Sequence, residues 1–65
     1  MCEYYAEVLL NSEGTHTIHV DGCASSPERE KLTLIGVRSK SETAIKEASN
    51  WYQGKVVACP DCIGT

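Results

Sequence analysis

Thr15-His16-Thr17-Ile18-His19-Val20-Asp21-Gly22-Cys23 carries the clearest pattern in the chain. His16, Ile18 and Val20 alternate with Thr15, Thr17 and His19, the two-residue period of a β-strand. Asp21-Gly22 signals a tight turn, and Cys23 follows at once. Upstream, Tyr4–Leu10 reads as a first strand and Asn11-Ser12-Glu13-Gly14 as a turn cluster, with Gly14 suited to positive φ. These residues predict a β-hairpin with a short loop, its second strand ending in a turn that presents a cysteine.

Downstream of Cys23 the chain is polar and irregular, and Pro27 suits the first position of a short helical turn capped by Ser26. Leu32–Val37 is rich in β-formers and reads as a third strand, weakened near its end by Gly36. Ser39-Lys40-Ser41-Glu42 fits a capping box, and Ala44, Ile45, Ala48, Trp51 and Tyr52 follow at helical spacing, with Gly54 as the closing residue. A final short extended piece, Lys55–Ala58, delivers Cys59-Pro60-Asp61-Cys62. The order predicts an α+β fold: a small antiparallel sheet of about three strands, one main C-terminal helix and a terminal cysteine knuckle.

With 65 residues, residues 1–65 form a single small domain. A chain of this size buries only about 60% of its unfolded surface, so a metal, disulfides or a partner usually help to hold it. At 42% hydrophobic residues it is too apolar for a disordered tail, and its apolar runs are too short to span a bilayer, so no membrane association is expected. Met1-Cys2-Glu3-Tyr4-Tyr5 has neither the basic nor the apolar region of a secretory leader, which points to the cytoplasm, where thiols stay reduced and serve as metal ligands more often than as disulfides.

The chemistry concentrates in two pairs. Cys59-x-x-Cys62 has the spacing that lets two sulfurs meet one ion, and His19-x3-Cys23 supplies the other half across the Asp21-Gly22 turn. His19, Cys23, Cys59 and Cys62 therefore form a candidate zinc site built from both ends of the chain, and structural zinc contributes on the order of 10 kcal/mol in such domains. His16, on the opposite face of its strand, is the weaker candidate, and Cys2 has no partner at motif spacing. A redox role for Cys59-Pro60-Asp61-Cys62 is disfavoured: too few residues follow for a helix to lower a thiol pKa, and Asp61 opposes a thiolate. No nucleophile-elbow context accompanies the serines and histidines, so no catalytic residue is assigned. Trp51 and Tyr52 read as core rather than as a stacking platform.

The net charge is -3, with no lysine or arginine run, and three thiolates with a divalent ion would add one further negative charge. Direct nucleic-acid binding is therefore disfavoured, and a protein is the expected partner.

The stretches Ile18–Cys23, Val37–Ala44 and Cys59-Pro60-Asp61-Cys62 together resemble small bacterial domains similar to the metal-binding domain of the Ada alkylation-repair protein. That resemblance implies zinc held by His19, Cys23, Cys59 and Cys62. The Ada domain itself uses four cysteines, one of which accepts a methyl group from a DNA phosphotriester. A histidine stands in this chain's set, and methyl transfer is not carried over. The expectation is a non-catalytic, structural-zinc interaction module. The alternative is a nucleic-acid-associated or thiol-reactive domain with a zinc-bound cysteine nucleophile.

Overall fold

In a computed structural model that describes residues 1–63, strands β1 (Cys2–Glu7) and β2 (His16–Val20) pair antiparallel, with Tyr4 opposite Val20, Tyr5 opposite His19 and Ala6 opposite Ile18. Strand β3 (Leu32–Arg38) pairs antiparallel on the other side of β1, helix α1 (Ser41–Trp51) follows, and β4 (Val56–Ala58) returns to β2. The sheet order is β3-β1-β2-β4, so the described residues form one helix on a four-stranded sheet, an α+β fold as the sequence predicts.

The sheet has one strand more than expected and is mixed rather than purely antiparallel. β4 runs parallel to β2, His16 beside Val56 and Ile18 beside Ala58. The reason is the crossover: α1 carries the chain from one sheet edge to the other, and a helical connection sets its flanking strands in the same direction.

Alternation in the strands divides the molecule into two faces. Tyr4, Ala6, Ile18 and Ile35 are buried together with Ala44 and Ala48 of α1, and Val20, Ile45, Tyr52 and Val56 pack around them. The small side chains of Ala44 and Ala48 let the helix approach the sheet closely. Trp51, expected in that core, is the last residue of the helix, half exposed, and meets Tyr52 edge-on instead. Tyr5 and His19, displaced by one residue from the core positions, are buried on the opposite face.

Several local expectations change. β1 ends at Glu7 rather than Leu10: the Val8 N–H bonds to the Lys31 carbonyl, and Val8, Leu9 and Leu10 are exposed in a long hairpin connection. Asn11 organises its far end, its side-chain oxygen accepting from the Glu13 and Thr15 N–H groups, and Gly14 has φ +78° as expected. The helical turn opens at Arg29 rather than Pro27, and Ser26 donates to the Cys23 carbonyl instead of capping it. The capping box does not form: Lys40 occupies the N-cap position and no side chain bonds there. At the helix end Gln53 takes the left-handed position, φ +56°, and the Gly54 N–H reaches the Ser49 carbonyl, a Schellman arrangement.

β3 carries a bulge opposite Tyr4 and Tyr5 that adds Ile35 to the strand and turns it into the core. Beside it, Gly36 lies at φ +147° under the Arg38 guanidinium, where a Cβ would come within 2.6 Å of a guanidinium nitrogen. The missing side chain lets Arg38 cross to Glu47 of α1, with Nε donating at 3.0 Å. That pair fastens the edge strand to the helix.

Candidate metal centre

His19, Cys23, Cys59 and Cys62 converge on the sheet face opposite α1. Their ligand atoms, one nitrogen and three sulfurs, all lie within 4.8 Å of one another. Each is placed by a local feature of the backbone.

His19 faces away from the helix because its neighbour Ile18 faces toward it. The turn after β2 is closed by the Cys23 N–H on the Val20 carbonyl at 3.1 Å, with Gly22 at φ +84°, a conformation glycine adopts without strain. That reversal returns Cys23 to the face carrying His19. The parallel register places Cys59 next after Ala58, abreast of His19, and the Cys59 N–H continues the ladder to the Ile18 carbonyl at 2.9 Å. A final turn, with the Ile63 N–H on the Cys59 carbonyl at 2.9 Å, brings Cys62 back, and its sulfur accepts from the Val20 N–H at 3.5 Å. Asp61 accepts a hydrogen bond from the Ser25 hydroxyl, tying the C-terminal knuckle to the loop after Cys23.

The spacings suit a tetrahedral ion. Metal–sulfur bonds of about 2.3 Å imply tetrahedron edges of about 3.8 Å. The Cys23 and Cys59 sulfurs stand 3.9 Å apart, and the Cys62 sulfur is 3.8 Å from His19 Nδ1. A donor set of three soft sulfurs and one imidazole is of the type that zinc takes in closed structural sites.

Glu7 completes the imidazole's environment. Its carboxylate lies 2.6 Å from His19 Nε2 and can only accept, so Nε2 carries the proton and Nδ1 turns its lone pair to the sulfurs. A carboxylate behind a ligating histidine fixes the tautomer and raises the basicity of the nitrogen that binds metal. The sequence reading missed Glu7. Its one signal was that Glu7 shares the period of Glu3 and Tyr5, away from Tyr4 and Ala6, but its meeting with His19 depends on a strand register that spacing alone does not reveal.

The thiols divide sharply in acidity. Burial pushes the Cys23 thiol up, but hydrogen bonds with Cys62, His19, the Ser25 backbone and Cys59 together outweigh it and lower its pKa to about 7. Burial pushes Cys62 up to about 12, reinforced by hydrogen bonding with Cys23 and by Cys59, against the opposing pull of the Val20 N–H. One thiolate is thus available near neutrality, and negative charge on Cys62 is resisted. A divalent cation removes that conflict.

The other candidates fall elsewhere. His16 donates from Nδ1 to the Glu7 carbonyl at 2.8 Å, and its ring stacks on Tyr52 at 3.8 Å on the helix side of the sheet. Cys2 is exposed at the start of β1 and lies outside the cluster. Next to His19, under the loop between Cys23 and β3, a cavity of about 270 Å³ is walled by Tyr5, Val20 and Leu32, with Arg29 5.6 Å over the Tyr5 ring. No helix among the described residues is long and apolar enough to cross a membrane. Comparison of the chain with protein-family models, with curated proteins and with solved structures gives no significant match.

Proposed function

We propose that the chain is a zinc-stabilised mini-domain, non-catalytic and cytoplasmic, that serves as an interaction module for another protein. The observation that carries this reading is the convergence of His19 and Cys23 from the first hairpin with Cys59 and Cys62 from the C-terminal knuckle. Zinc there would be held by the three sulfurs and His19 Nδ1, with Glu7 behind the imidazole, and would supply a cross-link rather than a reactive centre. All four donors are protein side chains, which is the closed arrangement of structural sites and leaves no position for a substrate or water. The resemblance to Ada-type metal-binding domains supports the same ligand set.

A protein partner is favoured by charge and by what the surface offers. The net charge of -3 gives no attraction for a phosphate backbone. The outer strand β3 leaves Leu34 and Val37 exposed on the face away from α1. One observation favours the thiol-reactive alternative: the low pKa of Cys23, which is half-buried at a turn rather than enclosed. Coordination of Cys23 by zinc would lower that reactivity without abolishing it.

Native mass spectrometry of freshly purified, reduced protein tests the proposal. One zinc per chain, lost on chelation and weakened by His19→Ala but not by His16→Ala, is the expected result. A metal-free chain, or one whose metal is indifferent to His19, would contradict it. Selective alkylation of Cys23 in the zinc-loaded chain, with Cys59 and Cys62 protected, would favour the thiol-reactive alternative.

A further inference from the structure

We propose that Cys23 and Cys59 are an oxidative modification site, at which a hydroperoxide replaces the metal cross-link by a disulfide between the same two segments. The inference rests on the zinc reading above and extends it to the regulation of that site.

The geometry selects the pair. The Cys23 and Cys59 sulfurs are in contact at 3.9 Å, across 36 positions of sequence. Closing to a bonded distance of about 2.05 Å needs the sulfurs to approach by a further ~1.9 Å. Cys23 is the residue able to move: it is half-buried on the turn after β2, whereas Cys59 is 3% exposed and is pinned by backbone bonds to Ile18 and Ile63. The Ser25–Asp61 hydrogen bond keeps the two segments side by side while the sulfurs rearrange. Cys62, by contrast, is engaged by the Val20 N–H, and joining it to Cys59 would close only the local knuckle.

The Cys23 thiolate attacks the outer peroxide oxygen, the O–O bond breaks, and a sulfenic acid forms on Cys23 while an alkoxide or hydroxide departs and takes up a proton. The Cys59 thiolate then attacks the sulfenic sulfur and expels hydroxide, which is protonated to water. Two thiolates have lost two electrons, and the peroxide has gained them. His19 and Cys62 remain as donors, too few to retain the ion in a closed site. The first hairpin and the C-terminal knuckle stay joined, now covalently.

The test is titration of the zinc-loaded chain with hydrogen peroxide, following zinc with a chromophoric chelator, disulfides by peptide mapping and fold by far-ultraviolet circular dichroism. Expected are a Cys23–Cys59 disulfide, one zinc released per disulfide formed, a folded oxidised chain in excess chelator, and reversal by a dithiol reductant with added zinc. Cys62→Ser, treated in the same way, should still give the Cys23–Cys59 link. A Cys23–Cys62 or Cys59–Cys62 disulfide, a chain-to-chain link through Cys2, or sulfinic acid on Cys23 without a cross-link would overturn the inference while leaving the zinc reading intact. A chain purified without zinc that still forms Cys23–Cys59 would contradict the zinc reading and retain the pairing.

Discussion

His19 shows how much depends on which side of a strand a residue occupies. It and His16 lie three residues apart on β2, yet one joins three sulfurs and the other stacks on Tyr52 beside the core. Glu7 makes the difference for His19, because its carboxylate holds Nε2 and so aims Nδ1 at the cysteines. Glu7→Ala should therefore weaken zinc binding by about 10- to 100-fold in a competition titration, the usual cost of removing such a partner. Glu3→Ala, which removes a contact with the Tyr5 hydroxyl only, should leave the affinity unchanged. Protons compete with zinc at the same residues. Below about 12, binding must displace the Cys62 proton, and below about 7 it must displace the Cys23 proton as well. Affinity should fall with acid throughout and fall more steeply, by one further proton, once the pH drops below about 7. Isothermal titrations across that range check the sign, and a slope that flattens on the acid side would contradict it.

At the scale of elements, the helix end offers a stability test independent of metal. Gln53 holds a left-handed backbone conformation at an exposed position, where a side chain is a penalty and glycine is at ease. Gln53→Gly should raise stability by about 0.5–1 kcal/mol in chemical denaturation at saturating zinc, less than the full relief of strain because glycine also frees the unfolded chain. Elements whose identity rests on local signals were legible from the sequence: the alternation of β2, the Asp21-Gly22 turn, the β-rich run of β3 and the apolar spacing of α1. The two pairs that converge in the candidate site were legible for the same reason, since His19-x3-Cys23 and Cys59-x-x-Cys62 are short-range patterns. Features that depend on tertiary pairing were not. β4 is three residues long, and its parallel partner is set by the α1 crossover. The capping box failed although its residues were present, because the helix begins at Ser41, which puts Lys40, without a side-chain acceptor, at the N-cap in place of Ser39. Val8–Leu10 looked like a continuing strand, but the chain bends at Val8 and Leu9 after a last ladder bond from the Val8 N–H to the Lys31 carbonyl.

For the whole molecule, the question is what keeps so small a fold together. Ile18 is the one large side chain buried essentially completely among the described residues, and the rest of the buried cluster is Tyr4, Ile35 and the alanines Ala6, Ala44 and Ala48. Burying a side chain such as Ile18 contributes about 1.5–3 kcal/mol, little against the entropy of ordering a chain of 65 residues. A cross-link on the face opposite the helix addresses the weakness directly, since it joins the β2 turn to the end of β4 and clasps the side of the sheet that α1 leaves uncovered. On the zinc reading this cross-link is a metal, and folding depends on it. The most direct measurement is circular dichroism of the reduced chain during chelation and zinc return. Expected are loss of the helix and sheet signal on chelation, recovery on adding back one equivalent of zinc, and no recovery in His19→Ala at that concentration. A reduced, metal-free chain that keeps its full signal and its cooperative melt would contradict the zinc reading.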